Sequence, residues 1–525
     1  MTNSLENNHA LNRWAPAVLL GLMLLLMIGN QLHKPLAYDE FFNLRYGYRF
    51  LTQGPLAETD GQRSPILALN ALFCLHHGCE LSILQTNEIA RLAVRLPALV
   101  FALLLGIMIY RWAHELFGGR AALFSLFLYA FTPNYLAHGK EVTSDLATCL
   151  FYFLSLYFLW RLMKEKRGRD FYFCALATGA ALFSKISGVL LFMILPLLWI
   201  LEKSFYRKAE PSYRFQELTK ATVKGVGFCL LVLLFINAAF LFQGSFEKAS
   251  QHHWQSKSWQ RLKAFDIPVP LPRIFVQGFD YTTYLDENPA FGRPDNYILG
   301  KRHRKGRWYS FPLMVFLKTP LAFFILLGLA VAMRFPFPEN LKGSSLYLWI
   351  PFALWLVYFS LFCDNQNGVR YVLPALSFLV VFVGKCLAKP PSPKVAGVLG
   401  LLSGWFLFSS LSYFPHQISY FNEIIGPRMN AYKFLADSNL DWENKSFFLK
   451  KFIKEHPEMN IAINEPLKRK SGFMTVSAND YTGILDDAGT TWIRKYKPLT
   501  HITYSHYLFY IPPSEPEEIN SGKTD

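Results

Sequence analysis

Charge is scarce in this 525-residue chain: Asp, Glu, Lys and Arg make up 17% of it, against about 25% in an ordinary soluble protein. Disorder needs the opposite balance, little hydrophobicity and much charge, and is excluded. Acids are scarcer than bases, 37 against 53, which leaves a formal charge of +16. Cysteine is sparse as well. None of the seven stands in C-x-x-C spacing, so neither a zinc site nor a redox motif can be read. Cys149, Cys174, Cys229 and Cys386 lie in or beside apolar runs, and Cys363 ends another. Only Cys74 and Cys79 share an aqueous segment, where an oxidising compartment would let them pair. The chain also lacks a clear internal repeat and any long low-complexity segment.

What it has is apolar and aromatic: 52% hydrophobic residues, 16% Phe, Trp and Tyr. The mean hydropathy of +0.19 is too low for a protein that is nearly all membrane. Apolar runs lie at 15–32, 96–110, 121–137, 145–163, 171–184, 186–201, 222–243, 311–333, 344–363, 369–388 and 395–414. Roughly eleven helices of about 20 residues would fill some 220 positions and leave about 300 in water. The first run exceeds a signal peptide's apolar stretch and no small-residue cleavage site follows it, so it reads as a retained helix.

Lys and Arg set the orientation. With the N-terminus inside, the loops 111–120, 160–170, 202–221, 334–343 and 385–394 collect the cations, whereas the short outer turns hold only Lys140 and Lys185. The expected fold class is an all-α polytopic membrane bundle with long outer loops and a small C-terminal soluble α/β domain. The expected domains are 1–414, with outer loops 33–95 and 244–310, and 415–525. In the second, 445–455 reads as an amphipathic helix, 459–463, 472–477 and 501–511 read as strands, and the tail after Pro512 reads as loose. The expected location is the plasma (inner) membrane, with the N-terminus cytoplasmic and the C-terminal domain extracytoplasmic.

Most of the chemistry then falls on the outer side. Asp39 and Glu40 follow the first span, where partial desolvation would suit a carboxylate to acid/base work; the plain alternative is a solvated loop acid. Arg63 precedes an apolar stretch, as an anion ligand or a cation reaching for headgroups. Asp145 opens the fourth span, where an acid also complements the helix dipole. Lys185 sits in a minimal outer turn, Lys318 well inside the run 311–333, and Arg370 at the outer mouth of the tenth span. A lysine within a membrane helix costs about 2.5–3.5 kcal/mol and is a functional candidate by default. Arg302 and Arg304 belong to a basic cluster between Lys301 and Arg307 that suits a phosphate-bearing lipid or acidic headgroups, not nucleic acid. Together these residues suit transfer from a phosphorylated lipid: a carboxylate deprotonates an acceptor hydroxyl, and cations stabilise the departing phosphate.

In this order the residues resemble a known family. The ordered set runs Asp39-Glu40; Arg63-Ser64-Pro65-Ile66; Thr143-Ser144-Asp145; Ser184-Lys185-Ile186-Ser187-Gly188; Trp308-Tyr309-Ser310-Phe311-Pro312 with Leu317-Lys318-Thr319-Pro320; and Gly368-Val369-Arg370-Tyr371. Its most specific part is Pro415 to Trp442, with Ser419-Tyr420-Phe421-Asn422-Glu423 and Asp437-Ser438-Asn439-Leu440-Asp441-Trp442. The chain resembles the GT-C integral-membrane glycosyltransferases of the protein-mannosyltransferase and aminoarabinose-transferase type, above all bacterial phospholipid-carrier-dependent members. The resemblance implies inverting transfer of a sugar from a polyprenyl-phosphate carrier to a glycan, lipid or protein acceptor. It implies Asp39 as catalytic base, Glu40 as a positioning group, Asp145 as the second acid and Arg63 on the donor phosphate. Some relatives bind a divalent metal through a Glu where this chain has Gln62, so no metal ligand is assigned, although His252 and His253 remain available. Relatives often continue Asp-Trp with Gly-Gln, where this chain has Glu443-Asn444. The Asp437–Trp442 stretch carries no assigned mechanism; docking of the outer domain is one role for it.

Two other classes compete. A secondary transporter would place charges near the bilayer midplane and often shows repeated halves, whereas here charges cluster at one surface. A non-catalytic lipid-binding or assembly protein would be favoured if Asp39 or Arg63 pointed away from any cavity. Geometry discriminates: an enzyme needs Asp39, Asp145 and several of the cations around one outer pocket.

Overall fold

The computed structural model describes residues 2–54, 64–206, 211–288, 295–335, 337, 341–442, 445–463, 470–484 and 491–513. Arg63, Gln62, Glu443, Asn444 and the tail from 514 lie outside the described residues. All eleven apolar runs form helices, and among the described residues seven helices are long and apolar enough to cross a membrane, or eight if one bent pair counts as a span. The helices Gly119–Ala130 and Leu346–Phe362 are shorter, as is Arg169–Ser184. The protein is an integral membrane protein of helical bundle type with a small sheet at its C-terminal end.

Two of the runs break at a proline, whereas Pro16, Pro97, Pro196 and Pro351 lie inside continuous helices. Pro133 restarts the chain as a separate short helix, Pro133–His138, after Gly119–Ala130 ends. Pro320 splits the run 311–333 into Ser310–Leu317 and Leu321–Ala332, which meet at 104°. A proline removes a backbone donor and disfavours helical geometry in the residue before it. Lys318 therefore caps the end of a helix at this corner instead of sitting at a helix centre.

Two helices form the axis of the bundle. Val369–Leu387 is 89% buried and Asp145–Glu165 72%, whereas Thr219–Ala239 is only 17% buried. A helix apolar on all sides belongs either inside a bundle or against lipid, and the burial separates the two cases. Around the axis, Trp112 meets Phe153, Tyr157, Trp160 and Phe378 at ring distances of 5.0 to 6.1 Å. Both axial helices begin at the same end of the molecule, so their N-terminal residues Asp145 and Arg370 become neighbours.

After the first span the chain forms the helix Tyr38–Gln53, which lies on the turn Pro65–Leu69. Gly47 permits this approach, because a Cβ there would collide with the Leu67 carbonyl. Two strands, β1 (Asn296–Ile298) and β2 (Lys301–His303), form an antiparallel hairpin. The C-terminal domain has the helix Ser446–Glu455 and the strands β3 (Ala462–Ile463), β4 (Gly472–Ser477), β5 (Thr500–His501) and β6 (His506–Ile511). Their order is β3-β4-β6-β5, with β3 parallel to β4 and the other pairs antiparallel.

Candidate active site

Asp39 sits in the first turn of Tyr38–Gln53. Its Oδ2 accepts a hydrogen bond from Trp442 Nε1 at 3.1 Å and lies 3.7 Å from Arg370 Nη2. The Asp39 side chain stays 46% exposed, so part of the carboxylate remains open to an incoming group. Arg370 stacks its guanidinium on the Trp442 ring, 4.4 Å from the centroid. Trp442 thus joins the acid to the cation.

Asp145 is buried in the first turn of its helix and receives Lys185 Nζ on Oδ1 at 2.6 Å. Its Oδ2 is buried and accepts no hydrogen bond from a described residue. Lys185 also lies 4.9 Å from the centre of the Tyr371 ring. The charges of Asp39, Asp145 and Asp437 all act on Arg370, which makes that guanidinium the shared counter-ion. Asp39, Asp145, Lys185 and Arg370, from four separate segments, therefore converge on one site.

Sequence reasoning missed three neighbours. Trp442 lay in a stretch that had drawn notice but no role. Asp437, in the same stretch, adopts a left-handed φ of 56°, a conformation that costs about 1–3 kcal/mol outside glycine. Burial raises its pKa to about 6, against the opposing pull of the Ser438 amide and Arg370, while Asp39 and Asp441 push it further up. His138 packs beside Trp442, ring centres 5.8 Å apart. No local pattern marks these three as members of the cluster around Asp39 and Arg370.

The remaining predicted residues go elsewhere. Glu40 is fully buried and faces away from the opening. Its Oε1 accepts from Arg95 Nε at 2.8 Å and Val142 N at 3.0 Å. Its Oε2 accepts from Arg95 Nη2 at 2.7 Å and Ala37 N at 2.9 Å. Four donors occupy the carboxylate, so Glu40 anchors the helix start to the bundle, and the expectation that it positions a ligand is corrected. Lys318 is corrected likewise. Its ammonium donates to the carbonyls of Ile418 at 2.7 Å and Asn439 at 2.5 Å and lies over the Phe421 ring. It clamps the C-terminal stretch to the helix corner, where it was expected to hold a donor phosphate.

Arg302 donates to the Gly483 carbonyl at 3.0 Å, and exposed Arg304 stands 3.9 Å from Asp295. Arg302 thus meets the C-terminal residues and Arg304 lies exposed just after β2, and neither is placed in the Asp39 cluster. Among the described residues no group of three His, Cys, Asp or Glu side chains could hold an ion. His252 is buried and stacked on Trp254.

The docking role of the last stretch has a physical basis. Asn422 donates to the Phe316 and Thr319 carbonyls at 2.6 and 3.0 Å, and Asn134 to Lys318 O at 2.8 Å. These amides satisfy the carbonyls that Pro320 leaves unpaired, as buried backbone requires. Asn439 accepts from Val369 N at 3.0 Å, and Ser438 donates to Asn367 O. The segment that positions Asp437 and Trp442 is thereby fixed to both the broken helix and the start of the axial helix.

Residues 82–213 match the family model described as dolichyl-phosphate-mannose-protein mannosyltransferase. No curated protein matches the chain. Among solved structures, ArnT from Cupriavidus metallidurans bound to undecaprenyl phosphate is 13% identical, over 95% of this chain and 99% of that one, with a TM-score of 0.48. The archaeal oligosaccharyltransferase AglB from Archaeoglobus fulgidus, in complex with an inhibitory peptide and a dolichol-phosphate, is 11% identical over 80% of this chain and 58% of that one, with a TM-score of 0.49. At these scores neither likeness bears on what this protein binds.

Proposed function

We propose that the chain, whose residues 82–213 match that family model, is a membrane glycosyltransferase of the protein-mannosyltransferase type that moves a sugar from a polyprenyl-phosphate carrier to an acceptor hydroxyl on the extracytoplasmic side. The observation that carries this reading is the convergence of Asp39, Asp145, Lys185 and Arg370, with Trp442 joining Asp39 to Arg370 and Lys185 paired with Asp145. A transporter or a passive lipid-binding protein does not need a half-open carboxylate beside a stacked guanidinium.

The chemistry follows from the placement. The open part of Asp39 takes the proton from the acceptor hydroxyl, whose oxygen bonds to the anomeric carbon from the face opposite the phosphate. The bond between that carbon and the phosphate oxygen breaks, its electron pair leaves with the polyprenyl phosphate, and the configuration inverts. Negative charge growing on the phosphate meets Arg370 and Lys185, with the N-termini of both axial helices pointing at the same place. The unsatisfied Oδ2 of Asp145 offers an acceptor for a sugar hydroxyl. The positive-inside asymmetry supports an outer location for the site, with the N-terminus cytoplasmic and the C-terminal domain outside.

The test is turnover of polyprenyl-phosphate sugars by the purified protein and by Asp39→Asn. The expected result is loss of about 10²-fold or more in the variant, the usual scale of a general base, with membrane insertion intact. Equal turnover by the two proteins would remove Asp39 from the chemistry.

A further inference from the structure

The helix Ser446–Glu455 has two unlike faces. Inward, Leu449 is buried and Phe448 meets the His416 ring edge-on, with centres 4.7 Å apart. Outward, Phe447, Lys450, Lys451 and Lys454 are all exposed. Steps of three, four and seven residues from Phe447 put the three lysines on the same stripe of the helix as the ring. Packing of the C-terminal domain explains the first face. The second, an aromatic ring among three cations, has the make-up of a helix that lies on a membrane surface.

The first span shows what this stripe faces. Phe447 stacks on His33, with ring centres 4.5 Å apart and planes 17° from parallel. His33 stands just past the end of the span Trp14–Gln31. That span is only 22% buried, and Trp14, Val18, Leu22, Leu25 and Leu32 make an exposed apolar row along it. An exposed apolar row on a membrane helix is a lipid-facing side. The Phe447 ring is therefore held where that side leaves the hydrocarbon, the level at which aromatic rings collect in membrane proteins.

Distance then places the cations. At 1.5 Å per residue, Lys450, Lys451 and Lys454 stand about 4.5, 6 and 10.5 Å along the axis from Phe447. Whatever the tilt of the helix, their backbone positions stay within about a Debye length of that level, ~10 Å at 0.1 M salt. Glu455 stands 3.9 Å from Lys451, and Glu88 answers His33 and Arg91 at 3.0 and 3.6 Å. Three lysines against Glu455 leave the exposed face cationic. At the start of the helix, Lys445 donates to Ser419 Oγ at 2.6 Å and Ser505 Oγ at 2.9 Å, so the helix is tied both to the stretch before Trp442 and to the sheet.

We propose that this stripe seats the C-terminal domain on the lipid surface beside the first span, with Lys450, Lys451 and Lys454 on the phosphates of anionic phospholipid headgroups. The ring sets the depth and the lysines select the charge of the lipid. The surface is separate from the Asp39 site and does not depend on the transfer reading.

Hydrogen–deuterium exchange of the full-length protein in lipid nanodiscs tests it, in phosphatidylcholine alone and with phosphatidylglycerol added. A lysine near an anionic surface is worth roughly fivefold in binding. The amides of 447–455 are therefore expected to exchange at least about fivefold more slowly when phosphatidylglycerol is present. In Lys450→Gln/Lys451→Gln/Lys454→Gln the two lipids are expected to give equal rates. In about 1 M salt, where the Debye length falls to ~3 Å, most of the wild-type difference is expected to vanish. The amides of β4 report whether the variant keeps its domain; should they change, the salt series on the wild type decides. Glycerophosphoglycerol in solution, added to phosphatidylcholine discs, is expected to give no protection, which separates a membrane headgroup from a free phosphate. Equal wild-type rates in the two lipids, a difference that survives high salt or the folded triple variant, or protection by the soluble headgroup would each overturn the proposal.

Discussion

Substituting Glu40→Gln separates structure from chemistry at two adjacent acids. Each Glu40 oxygen accepts two N–H donors, one from Arg95 and one from the backbone of Val142 or Ala37. Whichever way a glutamine amide is turned, its NH2 faces two donors and makes no bond to either. The substitution also leaves Arg95 buried with a weaker counter-charge, since Glu141 stands farther off at 3.7 Å. Breaking a buried ion pair from one side costs about 3–5 kcal/mol, and Glu141 places this case near the lower end. Against a total stability of about 5–15 kcal/mol, the loss is large. Asp39→Asn should behave in the opposite way, because Asp39 is itself 46% exposed and stands 3.7 Å from Arg370, and loose, solvent-accessible pairs are worth about 0–1 kcal/mol. Thermal unfolding in detergent, followed by tryptophan fluorescence, is the assay, paired with turnover per folded molecule below both transitions. Glu40→Gln should unfold at markedly lower temperature and keep much of its turnover per folded molecule. An unchanged unfolding temperature with turnover abolished would refute the reasoning and return Glu40 to the chemistry.

Two further outcomes are expected. Asp437, with its pKa raised to about 6 by burial, is ionised above that pH, where its charge competes for Arg370, and neutral below it. Donor affinity should therefore rise severalfold as pH falls through about 6, since a donor phosphodiester does not titrate there, and Asp437→Asn should hold the tighter KM across the range. A KM that stays flat with pH in the wild type would contradict this. Replacing the clamp with Lys318→Met strands two carbonyls at about 1–3 kcal/mol each; limited proteolysis should then cut between Ile418 and Lys445 faster than in the wild type, and identical cleavage would show that the clamp is dispensable.

The sequence reading of the bundle worked because apolar runs and prolines act locally. Each run became a helix, and two of them break at Pro133 and Pro320, although Pro16, Pro97, Pro196 and Pro351 lie inside helices that continue through them. The four charges that converge had drawn notice by their places beside the apolar runs and by their order along the chain. The division of labour between Asp39 and Glu40 was not legible. Neighbours on a helix point about 100° apart, so one carboxylate reaches the opening and the other turns into the bundle, where Arg95 happens to lie 55 positions away. Lys318 was conspicuous for the right reason and assigned the wrong partner, because the carbonyls it meets come from residues 418 and 439. Trp442 lies 403 positions from Asp39, and no period or spacing connects them.

That long connection shapes how the site is held. Asp145, Lys185 and Arg370 stand at the ends of apolar helices and Asp39 at the start of the helix that follows the first span, where packing fixes the backbone and leaves the charged tips underdetermined. Trp442 fixes two of those tips, by a hydrogen bond to one and by stacking on the other. Its own position depends on Asn439, bonded to the start of the axial helix, and on Asn422 and Lys318, which tie the C-terminal stretch to the broken helix. The corner at Pro320 therefore has a consequence beyond its own geometry: the carbonyls it frees are what tie the outer segment down. A straight helix at 311–333 would pair those carbonyls internally, leave Asn422 and Asn134 without acceptors there, and release the segment that carries Asp437 and Trp442 from the mouth of the bundle.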